Sequence, residues 1–185
     1  MKKPYIKKYR KSIVEAMDEE KTKKYGFEKA YFIFERSINR LVKEGDEAEA
    51  MAVEYLKQKN LLSSNYSLNR VIALNTIKIE ADIIDFDNKI IYETKSRRTG
   101  KLAKQAVIKK WRVFEYDKYN SNYENFQFKG IVVANYEDGK QVKGIVNFEN
   151  KKLDNTHVKQ DFEKYYAKLE EFKLIKREPK HVKQD

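Results

Sequence analysis

Glu80-Ala81-Asp82-Ile83-Ile84-Asp85-Phe86-Asp87-Asn88-Lys89-Ile90-Ile91-Tyr92-Glu93-Thr94-Lys95 sets two isoleucine-rich runs on either side of an Asp-Asn pair. Residues 82–86 and 89–95 are rich in isoleucine with polar residues set among them, a composition that reads as strands. Asp87-Asn88 can adopt the left-handed conformations that a tight hairpin needs. A two-residue turn there pairs Phe86 with Lys89, Ile84 with Ile91, and Asp82 with Glu93. Facing Cβ atoms in such a pair are about 4.5–5.5 Å apart, and like charges so placed repel unless something positive lies between them. Lys95 is two residues beyond Glu93, so alternation puts its amine on the same face as both acids.

Two carboxylates with no thiolate or histidine nearby form a hard oxygen set suited to Mg²⁺ or Mn²⁺, with water and a substrate phosphate completing the shell. Asp82 and Glu93 are the expected metal ligands, and the main-chain carbonyl of Thr94 is a plausible third. A cation there would polarise a scissile phosphate and acidify an attacking water. Lys95 is placed to orient that water or to offset charge in the transition state. The plainer alternative is a hairpin with an ordinary charged face, in which Lys95 neutralises Glu93.

Working towards the N-terminus, residues 68–79 read as another strand, after the polar turn Ser63-Ser64-Asn65. Before it, Phe27, Ala30, Tyr31, Phe34, Ile38 and Leu41 recur at helical spacing until Gly45 stops the pattern. A second helix is expected from Asp46, an N-cap, with Ala52, Tyr55 and Leu56 turned inward as far as Asn60. Asp46-x-x-Glu49 fits a capping box. The first residues form a basic arm in which Lys7, Lys8 and Arg10 are candidate phosphate contacts.

Towards the C-terminus, a basic loop from Ser96 to Lys101 leads into a helix at about 102–119, with Leu102, Ala106, Val107, Trp111 and Phe114 as its inner stripe. Arg97, Arg98, Lys101 and Lys104 adjoin the three site residues and are expected to meet phosphate. Strands at about 126–135 and 142–148 follow, then a helix at about 155–173 and a polar tail. Asp85 and Asp87 read as solvated turn residues, and His157 and His181 as surface histidines.

Composition bounds the possibilities. The 185 residues suffice for one well-cored domain, and 41% hydrophobic with 13% aromatic residues is too apolar for a disordered chain. The absence of cysteine excludes disulfides, thiolate zinc sites, iron–sulfur clusters and cysteine nucleophiles. No apolar run approaches a membrane span and the start lacks a signal-peptide core, so no membrane partner and a cytoplasmic location are expected. A net charge of +11 attracts a polyanion, nucleic acid being the commonest in that compartment.

Three motifs carry a resemblance to the PD-(D/E)xK nuclease superfamily, and within it to YraN-like proteins and archaeal Holliday-junction resolvases. Gly45-Asp46-Glu47-Ala48-Glu49 with Ala52, Tyr55 and Leu56 is similar to their first helix. Glu80-Ala81-Asp82-Ile83-Ile84 resembles the Glu-Ile-Asp strand, and Tyr92-Glu93-Thr94-Lys95-Ser96-Arg97 the Val-Glu-Val-Lys-Thr-Arg strand. Ile79 stands where the family often has glycine. The resemblance covers about residues 45–135. It implies an α/β, restriction-endonuclease-like fold: an α-β-β-β-α-β core with a mixed central sheet flanked by helices. Residues 1–44, the basic arm and a helical extension, and 136–185, a strand, a helix and a tail, would add extra N-terminal and C-terminal helices to one domain. It further implies Mg²⁺- or Mn²⁺-dependent cleavage of DNA, with Asp82, Glu93 and Lys95 catalytic and Glu49 an acid that helps bind metal, in many cases through water. The helix after the basic loop often supplies a polar residue, a place that Gln105, with Lys109 one turn later, fits. The DNA substrate, branched, junction, restriction or repair-like, stays open, as does a homodimer. The alternative is a non-catalytic nucleic-acid-binding module on the same fold.

Overall fold

In a computed structural model describing residues 23–24, 26–136, 139–154, 157–162 and 180–181, the elements run α1 (Phe27–Gln58), β1 (Tyr66–Ala73), β2 (Lys78–Asp85), β3 (Ile90–Arg97), α2 (Gly100–Asp117), β4 (Gln127–Tyr136), β5 (Gly139–Val146) and β6 (Lys180–His181). The expected α-β-β-β-α-β order is therefore present in a mixed α/β fold. The strands form one sheet in the order β5-β4-β3-β2-β1-β6. β3 and β4 are parallel and the other neighbours antiparallel. A parallel pair needs a crossover, and α2 is that connection.

The two helices cover opposite faces. Ala52 and Leu56 of α1 bury against Ile83, Tyr92 and Ile131. Val107, Trp111 and Phe114 of α2 bury against Ile84, Ile91 and Phe128, the alternate residues of the same strands. Trp111 stacks on Phe148 with ring centroids 4.6 Å apart, the packing role its stripe position implied. Gly130 in β4 lets α2 come close: a Cβ there would lie 2.1 Å from Val107 Cγ1.

Several local expectations are corrected. Gly45 and Asp46 do not separate two helices; α1 is one helix of 32 residues, and the expected boundary at 44/45 falls inside it. Glycine in a helix costs about 1 kcal/mol relative to alanine. Here Lys43 and Glu47 pair across Gly45 at 3.8 Å, and Lys140 of β5 holds the same turn through Glu47 and the Glu44 carbonyl. Asp46 is thus no N-cap and Glu49 belongs to no capping box. The strand expected at 68–79 breaks at Leu74–Ile77, because the buried Asp117 carboxylate at the end of α2 accepts from Thr76 N–H, Thr76 Oγ1 and Ile77 N–H at 2.9, 2.6 and 3.0 Å. Leu102, placed on the inner stripe, is 50% exposed, since α2 starts at Gly100 with Thr99 as its cap and the inward face begins at Ala103. The expected basic arm at 1–11 and most of the expected helix at 155–173 lie outside the described residues; residues 157–162 are helical.

Candidate active site

The hairpin register is the one expected, since Ile84 pairs with Ile91. Its turn is longer, with residues 86–89 all in the turn, so Phe86 and Lys89 are not a ladder pair. Lys89 takes the left-handed φ of 52°. Asp85, expected to be solvated, is fully buried: Ser63 N–H, Ser63 Oγ, Asn88 N–H and Asn88 Nδ2 all donate to it.

The pairing of β2 with β3 runs from Asp85↔Ile90 to Ile83↔Tyr92 and stops there. At the next position Asp82 reaches across with its side chain, and Oδ2 accepts from the N–H of Thr94 at 2.7 Å. A carboxylate replaces a strand carbonyl as the acceptor for that amide. On the other side of Asp82 the pairing with β1 also skips a step, between Leu68↔Ile83 and Arg70↔Ala81. The residue left level with Asp82 is Asn69, buried and held at a left-handed φ of 51°. Its Oδ1 is buried without a hydrogen-bond partner, as is Thr94 Oγ1. Sequence reading did not single out Asn69; asparagine inside an isoleucine- and valine-bearing strand was the available signal.

Glu93 is wholly buried, and each of its oxygens is taken by an ammonium: Oε1 by Lys95 and Oε2 by Lys110. Lys95 also lies 3.4 Å from the Thr94 carbonyl, and Lys110 donates to the Glu80 carbonyl at 2.6 Å. Burial and then the Asp82 charge push the Glu93 pKa up, while Lys110 and Lys95 work against them. Asp82, Glu93 and Lys95 are therefore brought together as the sequence indicated. The sequence reading missed Lys110. On α2 the sheet-facing positions are Ala103, Val107, Lys110 and Phe114, spaced by three and four, so the signal was one lysine on an otherwise apolar stripe.

Gln105 and Lys109, named for this helix, are both exposed and off that stripe, so the structure does not bring them to Glu93. Glu49 is half-buried on α1, one turn before Ala52 and Val53. Among the described residues it is not gathered with Asp82 and Glu93, for no group of three or more metal-ligating His, Cys, Asp or Glu side chains occurs. Arg97, Arg98, Lys101 and Lys104 are all exposed where β3 leads into α2, immediately beyond Lys95. Lys7, Lys8 and Arg10 lie outside the described residues. His157 is exposed, 3.8 Å from Asp154.

The donors present fit a hard divalent cation. Asp82 Oδ1, Glu93 and the Thr94 carbonyl are oxygens at the point where two strands part, and the ammoniums on Glu93 mark a place that already demands positive charge. Among the described residues no helix is long and apolar enough to cross a membrane. No protein-family model matches the chain, and no curated protein matches it.

Proposed function

We propose that the chain is a Mg²⁺- or Mn²⁺-dependent DNA endonuclease with a restriction-endonuclease-like core. The observation that carries this reading is the placement of Asp82 and Glu93 where the β2–β3 pairing opens, with Lys95 on Glu93 and a basic loop adjoining. Asp82, Glu93 and the Thr94 carbonyl would hold the cation. When bound, it supplies Lewis-acid polarisation of the scissile phosphate. The chain's own residues do the rest. Arg97, Arg98, Lys101 and Lys104 hold flanking phosphates and set the position of the strand. Lys95, 26% exposed at the mouth of the site, orients the attacking water and offsets the charge that grows on the phosphate oxygens.

Incubation with linear, nicked, branched and single-stranded DNA, in Mg²⁺ and in chelator, tests the proposal. Metal-dependent cleavage that disappears in Asp82→Asn and in Lys95→Ala is the expected result. Unchanged cleavage in either variant would overturn the assignment. One observation favours a second reading, a non-catalytic nucleic-acid-binding module: two ammoniums already satisfy both Glu93 oxygens. That reading expects DNA binding indifferent to chelator and no cleavage of any substrate.

A further inference from the structure

The second ammonium on Glu93 does not follow from the nuclease reading, and it bears on how a cation could enter. The charges acting on Glu93 are those of one carboxylate, Asp82, and two ammoniums, Lys110 and Lys95. Both Glu93 oxygens are thus taken without any added ion. A divalent cation on the same oxygens would stand against the two ammoniums, a repulsion that is costly away from water. One ammonium has to give way.

Lys95 and Lys110 are not equivalent in this respect. Lys95 is the more exposed and lies at the basic mouth of the site, where a substrate phosphate can take it over. Lys110 is 11% exposed and comes from α2. It has a second acceptor, the Glu80 carbonyl at 2.6 Å, which can steady it as it leaves Glu93 for the water at its exposed edge. Its four-carbon stem allows that small swing without moving the helix.

We propose that the Lys110 ammonium holds the place of the divalent cation on Glu93, so that metal binding is an exchange of Lys110 for the ion. The inference rests on the nuclease reading, since it assumes that Asp82 and Glu93 bind metal at all. Lys110 then sets the affinity of the site: it keeps the core satisfied when metal is scarce and lowers occupancy by competing for Oε2. Substrate phosphate on Lys95 and metal on Glu93 become mutually supportive, because the phosphate offsets positive charge that opposes the metal and the metal adds positive charge that attracts the phosphate.

The experiment is calorimetric titration of Mn²⁺ and of Mg²⁺ into the full chain, as wild type, Asp82→Asn, Lys110→Met and Lys110→Gln. The expected result is binding about tenfold or more tighter in the two Lys110 variants, because one positive charge within a few ångströms of the ion has gone. Metal bound by wild type but not by Asp82→Asn, with affinity equal or weaker in the Lys110 variants, overturns the exchange and leaves the nuclease reading standing. No binding by any of the proteins overturns both. Amine labelling of the wild type, read by mass spectrometry, covers the case in which the Lys110 variants fail to fold. Lys110 should be protected without metal and labelled several-fold faster with Mn²⁺, with no such rise in Asp82→Asn. Equal labelling with and without metal, or an equal rise in both proteins, overturns the proposal.

Discussion

Asp85 accepts four hydrogen bonds from Ser63 and Asn88 and so pins the turn between β2 and β3 to the segment after α1. Burial alone would raise its pKa, but those four donors more than offset it, and the carboxyl titrates below its ordinary value of 3.8. A carboxyl depressed in the folded state contributes stability above its unfolded pKa and loses it as pH falls through the folded one. Asp85→Asn presents an amide where donors already point and leaves a backbone N–H unpaired, so it should cost about 1–3 kcal/mol at neutral pH. Denaturant melts of both proteins should show that deficit at full size above pH 3.8 and shrinking below it. At this scale the turn register and the strand period made Asp82, Glu93 and Lys95 legible, because together they fix which residues face one another. Asp85 was misread because an acid beside a turn usually meets water. Its donors come from Ser63, 22 residues away, as well as from the turn.

Helix α2 is held against the sheet at Gly130, which is also the β4 residue paired with Glu93. The missing side chain does two things at once: it admits Val107 to the strand backbone, and it brings the next turn of the helix, with Lys110, down onto the Glu93 carboxylate. Gly130→Ala forces a methyl into Val107 and should destabilise the fold by about 1–3 kcal/mol, the usual cost of overpacking. Because the helix must also lift, that variant should expose Lys110 to amine labelling in the absence of metal. A Gly130→Ala protein that melts with wild type would show that α2 does not seat on this strand. The elements themselves were legible from periodicity, with three instructive exceptions. Lys180–His181, in the expected polar tail, pairs with β1 as strand β6. The break at Leu74–Ile77 is imposed by Asp117, 41 residues beyond Thr76, and no local pattern contains it. Gly45 looked like a stop because glycine commonly ends helices; Lys140, 93 residues on from Glu47, is among the residues that hold the helix together there.

Across the whole molecule the excess charge of +11 is the feature that sequence made plainest and structure develops least. The described part shows a basic region, from Arg97 to Lys104, that follows directly on Lys95. Residues 1–11 add Lys2, Lys3, Lys7, Lys8, Arg10 and Lys11, all without an intervening acid. If both regions hold phosphates, deleting residues 1–11 should weaken duplex binding and flatten its salt dependence, by about 0.9 in log–log slope for each phosphate that the arm would have neutralised. Fluorescence anisotropy across a salt series measures this, and an identical slope in the truncated protein would mean that the arm does not touch DNA. The order of helices and strands was readable at this scale because each element declares its own period. How β1 and β2 both skip a step at Asn69 and Asp82 was not, since it depends on two strands departing from alternation together.

Thr94 has an amide whose partner is a carboxylate, at 2.7 Å, rather than the neighbouring strand. That makes one backbone proton a gauge of the charge on Asp82. A short bond to an anion deshields the proton, so the Thr94 resonance should stand well downfield of the other β3 amides. In a Mg²⁺ titration followed by amide NMR it should move upfield as the cation draws charge out of the carboxylate, in step with saturation, while Ile91, paired within the regular ladder, moves little. In Asp82→Asn the downfield position should vanish and the titration fall silent. A Thr94 resonance indifferent to both changes would mean that strand β3 is closed to Asp82 in solution. If it responds, occupancy of the site can be read from a single proton, with no DNA and no turnover.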